Sequence, residues 1–117
     1  MYKTINKEEL KKRIDEGSNF ALIEVLSPED YNKEHIKGAI NIPVREIGKE
    51  ANERFNKDDE LIVYCSSPTC QASPSAAKKL DRLGFTNVYD FVGGKQEWKE
   101  AGFPMEESSE RKNEGCC

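Results

Sequence analysis

Leu61-Ile62-Val63-Tyr64-Cys65-Ser66-Ser67-Pro68-Thr69-Cys70-Gln71-Ala72-Ser73-Pro74 is the stretch from which the fold is read. Four consecutive apolar residues predict a strand buried on both faces. The Ser/Pro/Thr-rich segment after them predicts a loop, and a helical pattern over 73–83 follows, with Ser73-Pro74 as its cap and first-turn signal. Cys65 therefore stands where a buried strand opens toward a helix N-terminus. Free backbone N–H groups and the positive end of the helix dipole gather there, and they stabilise a thiolate and make it nucleophilic. The alternative is a small buried residue that merely ends the strand.

Working outward, helix and strand signals alternate along the chain, which predicts an α/β domain with a mainly parallel sheet. Leu10 and Ile14 mark a first helix, with Asn6 as its cap and Glu9 reaching back as in a capping box. Strands are expected over 20–26, 39–43 and 87–92, and helices over 28–34, 46–55 and 95–101. Pro28 suits a helix start. Gly84 stops the helix after the cysteine loop, Gly93-Gly94 turns the chain after the last strand, and Gly102-Phe103-Pro104 closes the domain. The domain is expected over 1–105. The polar tail 106–117, ending in Cys116-Cys117, can bury almost nothing and is expected to be disordered.

With 117 residues, 34% of them charged and 36% hydrophobic, the chain suits one domain with its own core. A net charge of −4, a pI of about 5.1 and a mean hydropathy of −0.80 come from interleaved Lys and Glu. No basic block invites nucleic acid or an anionic membrane surface. The N-terminal Met1-Tyr2-Lys3-Thr4-Ile5-Asn6-Lys7 has no apolar signal core, so the cytoplasm is the expected compartment. The four cysteines do not space out as a disulfide framework. Zinc fits poorly, because the Cys65/Cys70 spacing is wide for a knuckle and the other pair lies at the chain end.

Four blocks together resemble the single-domain rhodaneses, a sulfurtransferase family. They are the run 24–31; His35-Ile36-Lys37-Gly38-Ala39-Ile40-Asn41-Ile42-Pro43; Val63-Tyr64-Cys65 leading to Ala76-Ala77 and Leu80; and Gly84-Phe85-Thr86-Asn87-Val88 running to Gly93-Gly94, Trp98, Gly102 and Pro104. The resemblance implies a three-layer fold around a five-stranded, mainly parallel sheet. It also implies that a Cys65 thiolate takes sulfane sulfur from thiosulfate, a polysulfide or a thiol persulfide and passes it to a thiol acceptor. No metal or organic cofactor is implied. Loop amides from Ser66 to Ala72 would hold the sulfur, with the Ser66, Ser67 and Thr69 hydroxyls and Gln71 lining the site.

The chain departs from the family pattern in three ways. The family commonly has an Arg five residues after the nucleophile, where this chain has Cys70. The loop is about two residues longer than is common, and Glu24-Val25-Leu26 replaces Asp-Val-Arg. Arg45 could supply the missing cation. Cys70 could attack a Cys65 persulfide, releasing sulfide and forming a disulfide. A non-catalytic binding or regulatory module is the competing reading, and a phosphatase or arsenate reductase a third, which lacks a loop Arg and a general acid. His35 and Trp98 read as structural, and Cys116-Cys117 as a tethered sulfur acceptor or an incidental pair.

Overall fold

The computed structural model describes residues 2–107. Along them run β1 (Lys3–Ile5), α1 (Lys7–Asp15), β2 (Ala21–Glu24), α2 (Pro28–Lys33), β3 (His35–Ile36), β4 (Ile40–Asn41), a 3₁₀ turn (Val44–Glu46), α3 (Ile47–Arg54), β5 (Glu60–Tyr64), α4 (Ala72–Arg82), β6 (Asn87–Phe91), α5 (Gly94–Glu100) and β7 (Met105–Glu106). Five strands form one sheet in the order β1-β6-β5-β2-β4, every neighbouring pair parallel. β3 and β7 pair separately as an antiparallel ribbon.

Side chains alternate across a strand, and β5 sorts its residues into two cores. Leu61, Val63 and, past the strand end, Cys65 join Ile47 and Ala51 of α3 with Ala76, Ala77 and Leu80 of α4. Ile62 and Tyr64 join Leu10 of α1 and Trp98 of α5 on the other face. The sheet is thus covered on both sides, which gives the three layers the sequence implies. Trp98 is core packing: its ring lies edge-on to Phe91 and Phe103, at 6.0 and 4.8 Å between centroids. Its Nε1–H donates to Pro104 O at 2.8 Å.

Asn6 and Glu9 form the expected capping box, and Ser27 caps α2 with Pro28 as its first residue. Three local readings are corrected. β1 escapes the sequence because only Ile5 of its three residues is buried. α4 begins at Ala72 with Gln71 in the cap position, so Ser73 is no cap. Pro74 is tolerated inside the first turn because an N–H there has no intrahelical acceptor in any case. The chain also stays in the fold past Met105, since Glu106 pairs with His35 in the β3–β7 ribbon. Cys116 and Cys117 lie outside the described residues. His35 is structural: it stacks on Tyr31 at 3.8 Å, and its Nδ1 lies 2.8 Å from the Tyr31 carbonyl.

Candidate functional site

Cys65 leaves the C-terminal end of β5, in the middle of the sheet between β6 and β2. The Cys65 carbonyl accepts from Lys95 N–H at 3.0 Å and the Ser66 carbonyl from Gln96 N–H at 2.9 Å, so the first turn of α5 pins the loop. Across a planar trans peptide the C=O and the next N–H point in opposite directions. Pinning the Cys65 carbonyl to α5 therefore turns the Ser66 N–H the other way, and it bonds to the Cys70 sulfur. Gly94 makes this close approach feasible. Its φ is +65°, and a Cβ there would stand 2.6 Å from Cys65 O.

Cys70 folds back through a turn in which its N–H bonds to Ser67 O at 3.1 Å. Pro68 holds the second position of that turn, where its locked φ is favourable. The fold-back sets Cys70 beside Cys65, near enough for each thiol to shift the other's acidity, and both thiols stay free. Their environments differ. Burial pushes the Cys65 thiol up, and the Cys70 contact adds to that, against hydrogen bonds from the Ser73 hydroxyl and amide. Burial also works against a charged Cys70. The hydrogen bonds from Cys65, from the Ala72 and Ser66 amides and from the Ser66 hydroxyl outweigh it and hold the Cys70 thiol below its ordinary value. This corrects the sequence expectation that Cys65, at the strand end, is the thiol most favoured as a thiolate, because the loop aims its amides at the second sulfur.

The other expected site residues divide. Ser66 and Ala72 meet Cys70. The Ser67 and Thr69 hydroxyls bond to each other at 3.1 Å, because the tight turn between them brings the two oxygens together. Gln71 is exposed at the start of α4, and Arg45 is exposed on the 3₁₀ turn. Ser73, read as a cap, is instead buried with its Oγ 3.5 Å from Cys65 Sγ.

Lys95 was missed altogether. Its Nζ reaches Glu24 Oε2 at 3.2 Å and the carbonyls of Asp30 and Glu34 at 3.1 and 2.8 Å. The Tyr64 hydroxyl donates to Glu24 Oε1 at 2.9 Å and accepts from Ile36 N–H at 3.1 Å. This network partners the acid that the Glu24-Val25-Leu26 departure leaves without its neighbouring arginine. Among the described residues no group of His, Cys, Asp and Glu is placed to hold a metal ion, and no helix is long and apolar enough to cross a membrane.

A strand-end cysteine in an amide-rich loop, on a parallel sheet covered on both faces, defines a class of α/β domains that present one thiol at the carboxyl edge of the sheet. The chain belongs to the rhodanese-like domain family, whose model matches residues 6–101. It is 31% identical over 103 residues to the thiosulfate sulfurtransferase GlpE of Coxiella burnetii, covering 85% of this chain and 89% of that one. It is 34% identical over 94 residues to YrkF of Bacillus subtilis, which carries the name of a sulfur carrier protein. That match covers 80% of this chain and only 49% of YrkF, so the chain spans about half the length of that relative. The crystal structure of BH2092 from Bacillus halodurans superposes with a TM-score of 0.84 at 29% identity, over 91% of this chain and 77% of that one.

Proposed function

We propose that the protein moves sulfane sulfur through a Cys65 persulfide to a thiol acceptor, with Cys70 able to resolve it. The observation that carries this reading is the pair of free thiols side by side in the loop of a rhodanese-like domain. The Cys65 thiolate attacks the outer sulfur of a donor such as thiosulfate. A Cys65–sulfur bond forms, the donor's S–S bond breaks, and its electron pair leaves with sulfite. The Cys65 persulfide then meets an acceptor thiol, or Cys70. In the second case the Cys70 thiolate bonds to Cys65 Sγ, the S–S bond of the persulfide breaks, the sulfane sulfur leaves as hydrosulfide with the persulfide's own proton, and the two cysteines are oxidised to a disulfide. A dithiol reductant restores the pair.

Donors are thiosulfate, a polysulfide or a thiol persulfide, and a reducing cytoplasm is the compartment in which both thiols persist free. Ser66 and Ala72 hold the charge at Cys70, and Arg45, exposed on the 3₁₀ turn, is the residue assigned to an anionic donor. One observation favours a non-catalytic module instead: Cys65 is only 1% exposed, so a donor must displace part of the loop.

Intact-protein mass spectrometry after incubating the reduced protein with each donor decides between them. One added sulfur is expected, absent in Cys65→Ser and longer-lived in Cys70→Ser. No sulfur uptake from any donor leaves the binding module as the reading.

A further inference from the structure

The C-terminal end of the described chain is tied down close to the cysteine loop. Glu106 lies opposite His35 in the β3–β7 ribbon, and Lys37 N–H and Trp98 Nε1–H both donate to the Pro104 carbonyl, at 3.3 and 2.8 Å. Next to His35 stands Glu34, whose carbonyl accepts from Lys95 Nζ at 2.8 Å, while Lys95 N–H donates to the Cys65 carbonyl at 3.0 Å. One ladder pair, one residue step and the length of a single lysine thus bridge Glu106 to Cys65. With paired Cα atoms about 5.5 Å apart and successive ones about 3.8 Å apart, that bent path is at most roughly 30 Å. Cys116 and Cys117 follow Glu106 by ten and eleven residues. Ten residues of extended chain span about 33–36 Å, so both thiols come within reach of Cys65.

We propose that the vicinal pair Cys116-Cys117 is the acceptor for the Cys65 persulfide of the same chain. The inference rests on the sulfur-transfer reading of Cys65 and names the thiol that takes the sulfur. The Cys116 thiolate attacks the outer sulfur of the persulfide. A Cys116–sulfur bond forms, the S–S bond at Cys65 breaks, and its electron pair stays on Cys65 as a thiolate. The sulfane sulfur moves with its proton; Cys65 is reduced as Cys116 is oxidised, and no outside reductant enters. Cys117, one residue further on, serves in the same way. The route differs from resolution by Cys70 in the sulfur attacked. Attack at Cys65 Sγ ends in hydrosulfide and a disulfide, whereas attack at the outer sulfur keeps the sulfur as sulfane in the chain. Cys65 is 1% exposed, so an acceptor in solution meets a small target. A short tether holds its thiol beside that target at an effective concentration on the order of millimolar.

The test uses the full chain with Cys70→Ser, so that no sulfur leaves as hydrosulfide through Cys70. Reduced protein is pulsed with equimolar thiosulfate, and separately with a polysulfide, then desalted and quenched with iodoacetamide over time. Peptide mass spectrometry reads the extra sulfur on the Cys65 peptide and on the peptide that carries Cys116 and Cys117. Sulfur is expected on the Cys65 peptide first and on the C-terminal peptide next, at a rate that dilution of the protein leaves unchanged. With Cys116→Ser and Cys117→Ser together, the Cys65 persulfide is expected to last about tenfold longer. Sulfur that stays on Cys65 overturns the proposal, as does a transfer rate that falls in proportion to protein concentration, which marks a second copy as the acceptor. A C-terminal peptide that loads as fast in Cys65→Ser overturns it too, and if that variant does not fold, the dilution series decides. A Cys65 that takes up no sulfur from either donor overturns the sulfur-transfer reading and this inference together, whereas a loaded Cys65 with a silent C-terminal peptide overturns this inference alone.

Discussion

Lys95 Nζ stands 3.2 Å from Glu24 Oε2 although 71 residues separate the two in sequence. Glu24 is fully buried, and burial pushes its carboxyl up against the pull of the Lys95 charge and the Tyr64 hydroxyl. The pair ties the end of β2 to the first turn of α5, the same turn that pins the cysteine loop.

Lys95→Met is therefore expected to cost about 3–5 kcal/mol in urea unfolding, since it strands a buried acid. A Lys95→Met, Glu24→Gln double variant is expected to recover part of that loss. A loss under about 1 kcal/mol in the single variant, the size of an exposed pair, contradicts the network.

Gly94→Ala tests the contact between α5 and the loop. Gly94 and Gly102 both have positive φ, +65° and +77°, so Ala brings backbone strain at either. A Cβ at Gly94 meets Cys65 O at 2.6 Å, whereas one at Gly102 meets nothing within 4 Å. Gly102→Ala is expected to cost about 1–2 kcal/mol. Gly94→Ala is expected to cost clearly more and to slow sulfur loading of Cys65, while Gly102→Ala leaves loading intact. Equal effects on stability and loading refute the pinning role.

Cys70→Arg restores a cation where rhodaneses commonly carry one. Guanidinium forks match oxyanions well, so steady-state kinetics are expected to show a lower KM for thiosulfate and no sulfide release without an added thiol. An unchanged KM places donor binding elsewhere, with Arg45 as the next residue to substitute.

Asp90 also sets a pH dependence of stability. Its carboxyl is raised from the ordinary 3.8, chiefly by burial and against the Ser73 hydrogen bond. An acid raised in the folded state binds its proton more tightly there than in the unfolded chain. Its favourable contribution is full below 3.8 and is lost as pH rises through the raised folded value. Asp90→Asn is expected to flatten that decline, measured as the urea midpoint between acidic and neutral pH. A decline as steep in Asp90→Asn as in the parent assigns it to Glu24, the other buried raised acid.

Much of the fold was legible because it is written in local patterns. The apolar run into Cys65, Ser27-Pro28, the Asn6/Glu9 box and Gly84 each act through neighbours a few residues away. Three short strands were not. β1 buries one residue of three, and β3 and β7 exist only because His35 and Ile36 find Glu106 and Met105 across the chain. A three-residue or two-residue strand has no period to read; its partner defines it.

The site divides in the same way. Adjacent residues alone already put Cys65 at the end of a buried strand with Cys70 in the same loop, because a continuous apolar run and turn chemistry are local properties; the strand's central place in the sheet is tertiary. Only the tertiary structure decided which thiol the amides favour, since that depends on α5 seizing the carbonyls of Cys65 and Ser66 from the far side of the chain. It also decided that Ser73 joins Cys65. Those two sit in the first turn of α4 and at the end of β5, and only the packing of α4 against β5 brings that hydroxyl to the sulfur.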